Sequence, residues 1–288
     1  MLFLLAAGLT LVFGIMNVIN LTHGAFYMVG AFCAAAAMAK TGSFGEAALA
    51  ALAGAGLYGL DAELLVVRHL YRRDHLDQVL ATLGMTLFTN ELVSMAFGRR
   101  PPTMDMSSFL AGLVQVLPGL MYPVMRLAFI AAGVFVAVGL WLLITRTRVG
   151  MLVRAGADDC EMVDALGIDI RHLYTLIFAL GAVLCGFAGV MAAPLLAVEI
   201  GMGERILITA FVVIVVGGVG SVRGALVGTL LIGMIDAFGR AYIPLAMHSI
   251  LPAQISDLLS SGLVSSSIYI LMAVVLLFRL QGLLGNRT

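Results

Sequence analysis

Four hydrogen-bonding side chains lie within seven residues of an apolar run in the stretch FGIMNVINLTHGAFYMVGAF, residues 13–32: Asn17, Asn20, Thr22 and His23. Amide, hydroxyl and imidazole groups can bind a polar solute, and they can also satisfy backbone groups that a broken helix leaves unpaired. Two interpretations stay open at this point. The segment is either a short interfacial turn between two helices, or a helix break whose side chains line a path through a membrane.

Ionisable residues inside other apolar runs could do related chemistry. Asn90 and Glu91 interrupt the run 78–97, and Asp236 lies late in the run 224–243. A charge in lipid is costly and usually faces a pathway or a partner group. We therefore add Asn90 and Glu91 to the path-lining candidates, while helix–helix contact remains the alternative for Glu91 and Asp236. Asp61 and Glu63 lie near the end of their run, where they can pair with Arg68.

The composition determines the class of fold that positions these groups. Of the 288 residues, 62% are hydrophobic and 11% charged, with a mean hydropathy of +1.10. A soluble domain carries about 25% charged residues, so this chain is expected to be an all-α, polytopic helical membrane protein. We expect one domain over residues 1–288. The net charge of zero argues against nucleic acid as a partner.

Continuous apolar runs predict about eight or nine transmembrane or re-entrant helices, because about 20 residues cross the hydrocarbon core. The last two runs before the C-terminal helix are separated only by GGVGSVRGA, which predicts a tight helical hairpin or a re-entrant pair. The runs cover residues 2–16, 24–40, 45–66, 78–97, 126–145, 172–197, 206–219, 224–243 and 263–279.

The distribution of basic residues predicts an orientation. Placing residues 68–75, 146–171 and the C-terminal tail in the cytoplasm puts nine of the 16 basic residues there, or ten with Arg223. The proline-containing loop 98–125 and residues 244–262 are then extracytoplasmic.

The charged segment 146–171 predicts an amphipathic helix that stops at Gly167. Leu152, Ala155, Met162 and Leu166 recur at helical spacing, and Arg154, Asp158 and Glu161 lie on another side. The segment is either an ordinary solvated loop or a helix that docks a soluble partner in a groove.

The motifs of common enzymes are missing from the sequence. A P-loop requires G-x-x-x-x-G-K-[ST], and Ala34 and Ala39 occupy the glycine positions before Lys40. Neither G-x-S-x-G nor H-E-x-x-H occurs, and the histidines and cysteines form no metal-binding pattern. We therefore expect neither an enzyme nor a metal site. Small residues at four-residue spacing predict close helix packing at Gly220, Gly224 and Gly228.

Several of these segments resemble the LivH-type branched-chain amino acid ABC transporter permease family. GIMNVINLTHGAFYMVGAF is similar to the hallmark of that family, and RAGADDCEMVDALGI, residues 154–168, is similar to its coupling loop. ELLVVRHLYRRDHLDQVLATLGMTL, AFVVIVVGGVGSVRGALVGTLLIG and the tail RLQGLLG also fit. Departures are His69, Val163, Leu280 and Leu284, and family members usually carry a longer N-terminal segment. The coupling-loop matches are Arg154, Ala155, Ala157, Asp159, Leu166, Gly167 and Ile168.

The resemblance implies a multi-pass permease subunit of a bacterial inner-membrane importer for branched-chain or related small hydrophobic amino acids. Its implied partners are a homologous LivM-like permease, two cytoplasmic ATPases that use ATP and Mg, and a periplasmic binding protein; this chain binds no cofactor. Alternatives are a permease of the same family for urea, amides or aromatic acids, and an ion-coupled secondary carrier. A carrier of that kind would need no coupling loop.

Overall fold

A computed structural model describes residues 1–71, 73–98, 104, 112–117, 119–158, 160–249 and 252–285. A π-helical turn, Glu63–Val67, joins α3 to α4, and strand β1 (Leu113–Leu117) pairs antiparallel with β2 (Leu120–Pro123). The helices are α1 Leu2–Met16, α2 His23–Thr41, α3 Phe44–Ala62, α4 Arg68–Leu70, α5 His75–Phe97, α6 Val124–Arg146, α7 Arg148–Asp158, α8 Cys160–Ala165, α9 Ile170–Ala192, α10 Met202–Gly217, α11 Val222–His248 and α12 Ala253–Phe278.

Each apolar run of the sequence coincides with a helix, which confirms the prediction of a helical polytopic fold. Seven helical segments in the described part of the chain are long and apolar enough to cross a membrane, and α1 is a shorter apolar helix. The small β1–β2 hairpin is a departure from the all-α prediction. It flanks Gly119, whose φ of 85° makes the turn between the two strands.

The chain forms two compact units, residues 1–207 and 208–288, with α10 running across the boundary. In the first unit, α2, α3 and α9 pack against one another, and α1 lies against α9. Almost every residue of α1 is buried. The first helix therefore forms the centre of this unit and does not face lipid.

Glycines allow these helices to approach backbone to backbone. A Cβ added at Gly30 in α2 would lie 2.5 Å from the Gly186 Cα in α9, and one at Gly8 in α1 would lie 2.8 Å from the Gly181 oxygen. Contacts of Gly59 with Ala182 and of Gly186 with Ala55 show that α3 runs antiparallel to α9. Small residues have this role in membrane helix bundles because lipid gives no hydrophobic driving force for helix association.

In the second unit, the turn 218–221 joins α10 to α11 as the predicted tight hairpin. Gly217 and Gly224 contact each other backbone to backbone, and Gly228 packs against the Val213 oxygen. Gly220 does not belong to this packing stripe: α11 begins only at Val222, and Gly220 lies in the turn with a φ of 78°. The prediction was wrong at Gly220 because it assumed helical spacing two residues before α11 begins.

The described tail and an internal ion pair complete this unit. The amides of Leu283 and Leu284 donate to the oxygens of Val216 and Gly217, both at 2.9 Å, so the tail caps the last turn of α10. Asp236 pairs with Arg240 one turn later on α11 at 2.9 Å.

The close contact between α2 and α9 predicts the effect of adding one methyl group. Gly30→Ala should lower the free energy of unfolding by about 1–3 kcal/mol, because two backbones must separate. Detergent-solubilised protein unfolded by SDS, followed by circular dichroism, measures this. Gly84→Ala in α5 is the matched control, since nothing lies within 4 Å of an added Cβ there. Equal stability of the two variants would contradict the packing described here.

Candidate functional site

The polar motif near the N-terminus is a helix break. α1 ends at Met16, Asn17 adopts a left-handed conformation with φ 49°, and α2 begins at His23. The six residues 17–22 between them are not helical. Their backbone groups need partners, because a membrane interior offers no water to exposed amides.

Helix α5 supplies those partners through two side chains. The Ile19 amide donates to Gln78 Oε1 at 3.4 Å, and the Leu21 amide donates to Thr82 Oγ1 at 3.2 Å. The Thr22 hydroxyl donates to the Thr82 carbonyl at 3.2 Å. Ile19 and Leu21 are two residues apart in extended chain, which advances about 6.6 Å over that interval. Gln78 and Thr82 are four residues apart in a helix, which advances about 6 Å, so each amide reaches its own acceptor side chain.

Gln78 is the most connected of these groups. It is buried, and its Nε2 donates to the carbonyls of Leu70 and Arg73 at 3.2 and 3.1 Å. The same side chain therefore holds the connection between α4 and α5 and the break between α1 and α2. The sequence analysis missed this residue.

Gln78 begins a polar stripe on the buried face of α5. Thr82, Thr86 and Thr89 follow at helical spacing, and all are buried. The Thr89 hydroxyl is 2.5 Å from the Tyr58 hydroxyl in α3. The signal was present in QVLATLGMTLFT, where polar residues recur every three or four positions. Within the run 78–97, however, the sequence-based prediction named only Asn90 and Glu91.

The break extends from one end of the first unit to its middle. Gly156 in α7 lies near both Ile15 and Leu173, which places the end of α1 at the start of α9. His23 lies near Gly181, the twelfth of the 23 residues of α9 and about 16 Å from each end. Thus α2 begins half-way along a spanning helix. The end of the unit that carries residues 68–75 and 146–171 is called the basic end below.

Three of the four motif side chains are buried in the first unit. Asn20, Thr22 and His23 have no exposed surface, whereas Asn17 is exposed. Asn20 Oδ1 accepts from the Thr22 amide at 2.8 Å and so shapes the turn. In this conformation Asn20, Thr22 and His23 face protein, and contact with a solute would require that packing to open. Their assignment to the path stays a prediction.

The His23 ring is enclosed by aromatic side chains. It makes edge contacts with Phe26 and Phe178, with centroids 5.5 and 5.7 Å apart. Among the described residues neither ring nitrogen finds a hydrogen-bond partner of ordinary geometry, although the ring is close to the Asn20 backbone. His23 thus fills space at the start of α2 as an aromatic group.

Asn90 and Glu91 lie beside the start of α10, which meets the start of α2 where Gly203 contacts Gly24. Asn90 Nδ2 donates to Glu204 Oε1 in the first turn of α10 at 2.7 Å, and Glu91 is exposed beside it on α5. The predicted candidates therefore divide into two groups: the four motif residues, of which Asn17 alone is exposed, and half-buried Asn90 with exposed Glu91 near the start of α10.

A buried carboxylate organises the basic end. Glu63 lies in the π-helical turn, has no exposed surface, and pairs with Arg68 at 3.5 Å, as the sequence predicted. It also accepts hydrogen bonds from the Tyr71 and Thr175 hydroxyls at 2.5 and 2.9 Å. Burial first, and then this carboxylate, raise the pKa of Tyr71. Asp61 is exposed.

The segment 146–171 forms two short helices, α7 and α8, where the sequence predicted one. Arg154 is exposed and donates to the Ile144 carbonyl at the end of α6. Gly167 has a φ of 82° and ends the pair, and Asp169 then caps α9 by accepting from the Arg171 amide at 2.9 Å. The hydrogen bond from His172 is the main cause that lowers the pKa of Asp169.

The predicted docking residues have different exposures. Ala157, Leu166 and Gly167 are exposed, while Ala155 and Ile168 are intermediate. Asp159 lies outside the described residues, as do the side chains of Asp158 and Glu161.

Comparisons with known proteins agree along nearly the whole chain. The family described as "Branched-chain amino acid transport system / permease component" matches residues 1–264. The permease protein BraD of Pseudomonas aeruginosa is 30% identical over 296 residues, covering 98% of this chain and 91% of that protein. LivH of Escherichia coli K12 is 28% identical with the same coverage. A probable LivH of Methanocaldococcus jannaschii is 26% identical over 84% of this chain and 78% of that protein. No solved structure matches the chain significantly.

The contact between α5 and the break predicts that Thr82 contributes more to stability than Thr145 does. Thr82→Val should destabilise the protein by about 1–3 kcal/mol, because the part-buried Leu21 amide loses its acceptor where a membrane interior offers no water to replace it. Thr145→Val is the control, since the hydroxyl of Thr145 bonds the Trp141 carbonyl of its own helix and is exposed. Thermal unfolding in detergent measures both, and equal midpoints would refute the role given to Thr82.

Proposed function

The chain belongs to the family of permease components of branched-chain amino acid transport systems, and on that premise we propose that it imports branched-chain or related small hydrophobic amino acids. It is a multi-pass membrane protein and a transport subunit, with ATP hydrolysis by separate ATPase subunits. The family match over residues 1–264 carries the proposal. The substrate follows the names of its relatives, BraD and LivH.

The α7–α8 segment is the proposed docking site for an ATPase. Met151, Met162 and Leu166 expose 56%, 59% and 72% of their surface, whereas Val153 and Val163 are buried. The buried side faces the end of α1 and the start of α9, through Gly156, Ile15 and Leu173. A segment held on one side, with apolar side chains exposed beside Arg154 and Asp164 on the other, suits an amphipathic helix that enters a partner's groove. Movement of an ATPase would then reach α6 and α9 directly.

The remaining assembly follows from the family. We propose a homologous LivM-like permease as a heterodimer partner, two cytoplasmic ATPases that bind ATP and Mg, and a periplasmic binding protein that delivers the solute. The complex would lie in a bacterial inner membrane with the basic end in the cytoplasm. Selectivity would rest largely with the binding protein, so a permease of this family for urea, amides or aromatic acids is the alternative.

One substitution tests the docking site. Leu166→Arg should reduce co-purification of the ATPases with the assembled complex, because a charge replaces an exposed apolar side chain at the contact. Leu113→Arg is the matched control, since Leu113 is 63% exposed on β1, in the loop predicted to be extracytoplasmic. Normal ATPase stoichiometry in the Leu166→Arg complex would exclude docking at this residue.

Transport measured in proteoliposomes tests the function. The complete complex with its binding protein should accumulate leucine only when ATP is inside the compartment that contains the ATPases. Collapse of proton and sodium gradients should leave the initial rate unchanged. Uptake that follows an ion gradient without ATP would support a secondary carrier, and uptake of urea or benzoate in place of leucine would support the alternative substrates.

A further inference from the structure

Helix α10 begins in the middle of the first unit. Gly203, in its first turn, contacts the backbone of Gly24 at the start of α2, where a Cβ added at Gly24 would lie 2.5 Å from the Gly203 oxygen. The Gly201 amide also lies 3.4 Å from Met28 Sδ. Because α2 itself begins half-way along α9, two helix starts meet at mid-span depth.

The connection from α9 to α10 therefore descends into the span. α2 and α9 run side by side with Gly30 at the level of Gly186, so Ala192 lies about 18 Å beyond the level of Gly24. Residues 193–201 return over that distance without regular structure. Leu195 and Leu196 in this connection are 46% and 52% exposed. Non-helical backbone at membrane depth is tolerated only inside protein or beside water.

Three charged groups and one amide lie at this depth. Arg205 pairs with Glu199 at 2.7 Å, and their side chains are 69% and 47% exposed. Glu204 is exposed and accepts from half-buried Asn90 at 2.7 Å. Exposed charges in the middle of a span would be costly in lipid, and such residues almost always face a water-filled cavity or the interior of a bundle. Asn90, Glu199, Glu204 and Arg205 are called the mid-span cluster below.

We propose that the mid-span cluster is a station on the solute path and binds zwitterionic amino acids. This inference rests on the proposed function and names the surface of this chain that meets the solute. Arg205 would receive the carboxylate, and Glu204 and Glu199 the ammonium group. A zwitterion needs both signs of charge within a few ångströms, and the first turn of α10 with the preceding connection supplies both. Asn90 positions the Glu204 carboxylate.

Two observations favour a wet path over contact with another protein chain. The polar groups already form their ion pair and hydrogen bond within this chain, so they need no partner to offset their desolvation. The irregular connection beside them is also exposed, at residues 195–197 and 199, and non-helical backbone at this depth must lie inside protein or beside water. A packed interface with the partner permease is therefore the competing outcome of the tests.

Cysteine accessibility in the assembled complex in nanodiscs separates these cases. Glu204→Cys should react with a membrane-impermeant, cationic methanethiosulfonate reagent at least about tenfold faster than Phe88→Cys. Phe88 is the matched control because it is 65% exposed on α5, two residues before Asn90. The unsubstituted complex gives the background from native cysteines. Equal rates for the two variants would overturn the proposal, whether lipid or a partner chain covers Glu204.

A charge exchange separates solute binding from an ion pair that only stabilises the fold. Arg205→Gln should lower leucine uptake about 10- to 100-fold. The double variant Glu199→Arg with Arg205→Glu restores a pair, so it should assemble normally and still transport poorly. Near-normal uptake by the exchanged pair would show a structural role and overturn the proposal. Glu46→Gln, an exposed carboxylate in the first turn of α3, is the matched control and should transport normally.

The proposed function and this inference fail in different ways. If the unsubstituted complex accumulates no leucine with ATP, the proposed function fails, whatever the labelling result. If it transports normally while Glu204→Cys stays unreactive and the exchanged pair is active, the proposed function stands and the mid-span cluster is not on the path.

Discussion

A backbone amide inside a membrane has no water to bond, and this constraint explains most of the first unit. The break at residues 17–22 exposes such amides, and α5 meets them with Gln78 and Thr82. Other features also help to enclose these amides. They are the polar stripe on α5, its pairing with α3 through Thr89 and Tyr58, and the burial of α1. The break is thus a sealed interruption, closed by side chains from another helix.

The second interruption, residues 193–201, ends at nearly the same place and is not sealed in this way. Gly24 and Gly203 bring the two helix starts into contact, yet one is surrounded by His23, Phe26 and Phe178 while the other carries exposed charges. The tight packing of Gly24 on Gly203 holds the starts of α2 and α10 at the same depth. That contrast makes the first a closed structural break and the second the candidate surface for a polar solute.

Periodicity and composition were sufficient to predict the spans, because each long apolar run must become a helix in lipid. They were insufficient to predict which side chains contact each other across the packed helices and at what depth each helix begins. Gln78 was missed because the amide that it accepts from in the break, that of Ile19, is 59 residues away in sequence. Glu204 drew no attention because the run 206–219 excluded it, and nothing local indicates that α10 starts at mid-depth. Gly220 was misplaced because spacing alone does not indicate where a helix begins.

Amide hydrogen exchange of the complex in nanodiscs tests the central contrast in one experiment. Peptides covering residues 17–22 should exchange slowly, since the Ile19 and Leu21 amides are bonded to α5 through part-buried hydrogen bonds. Peptides covering residues 195–200 should exchange fast, although they too descend to mid-span from the opposite end, because water reaches them. Equal protection of the two segments would contradict the account of one sealed and one wet interruption.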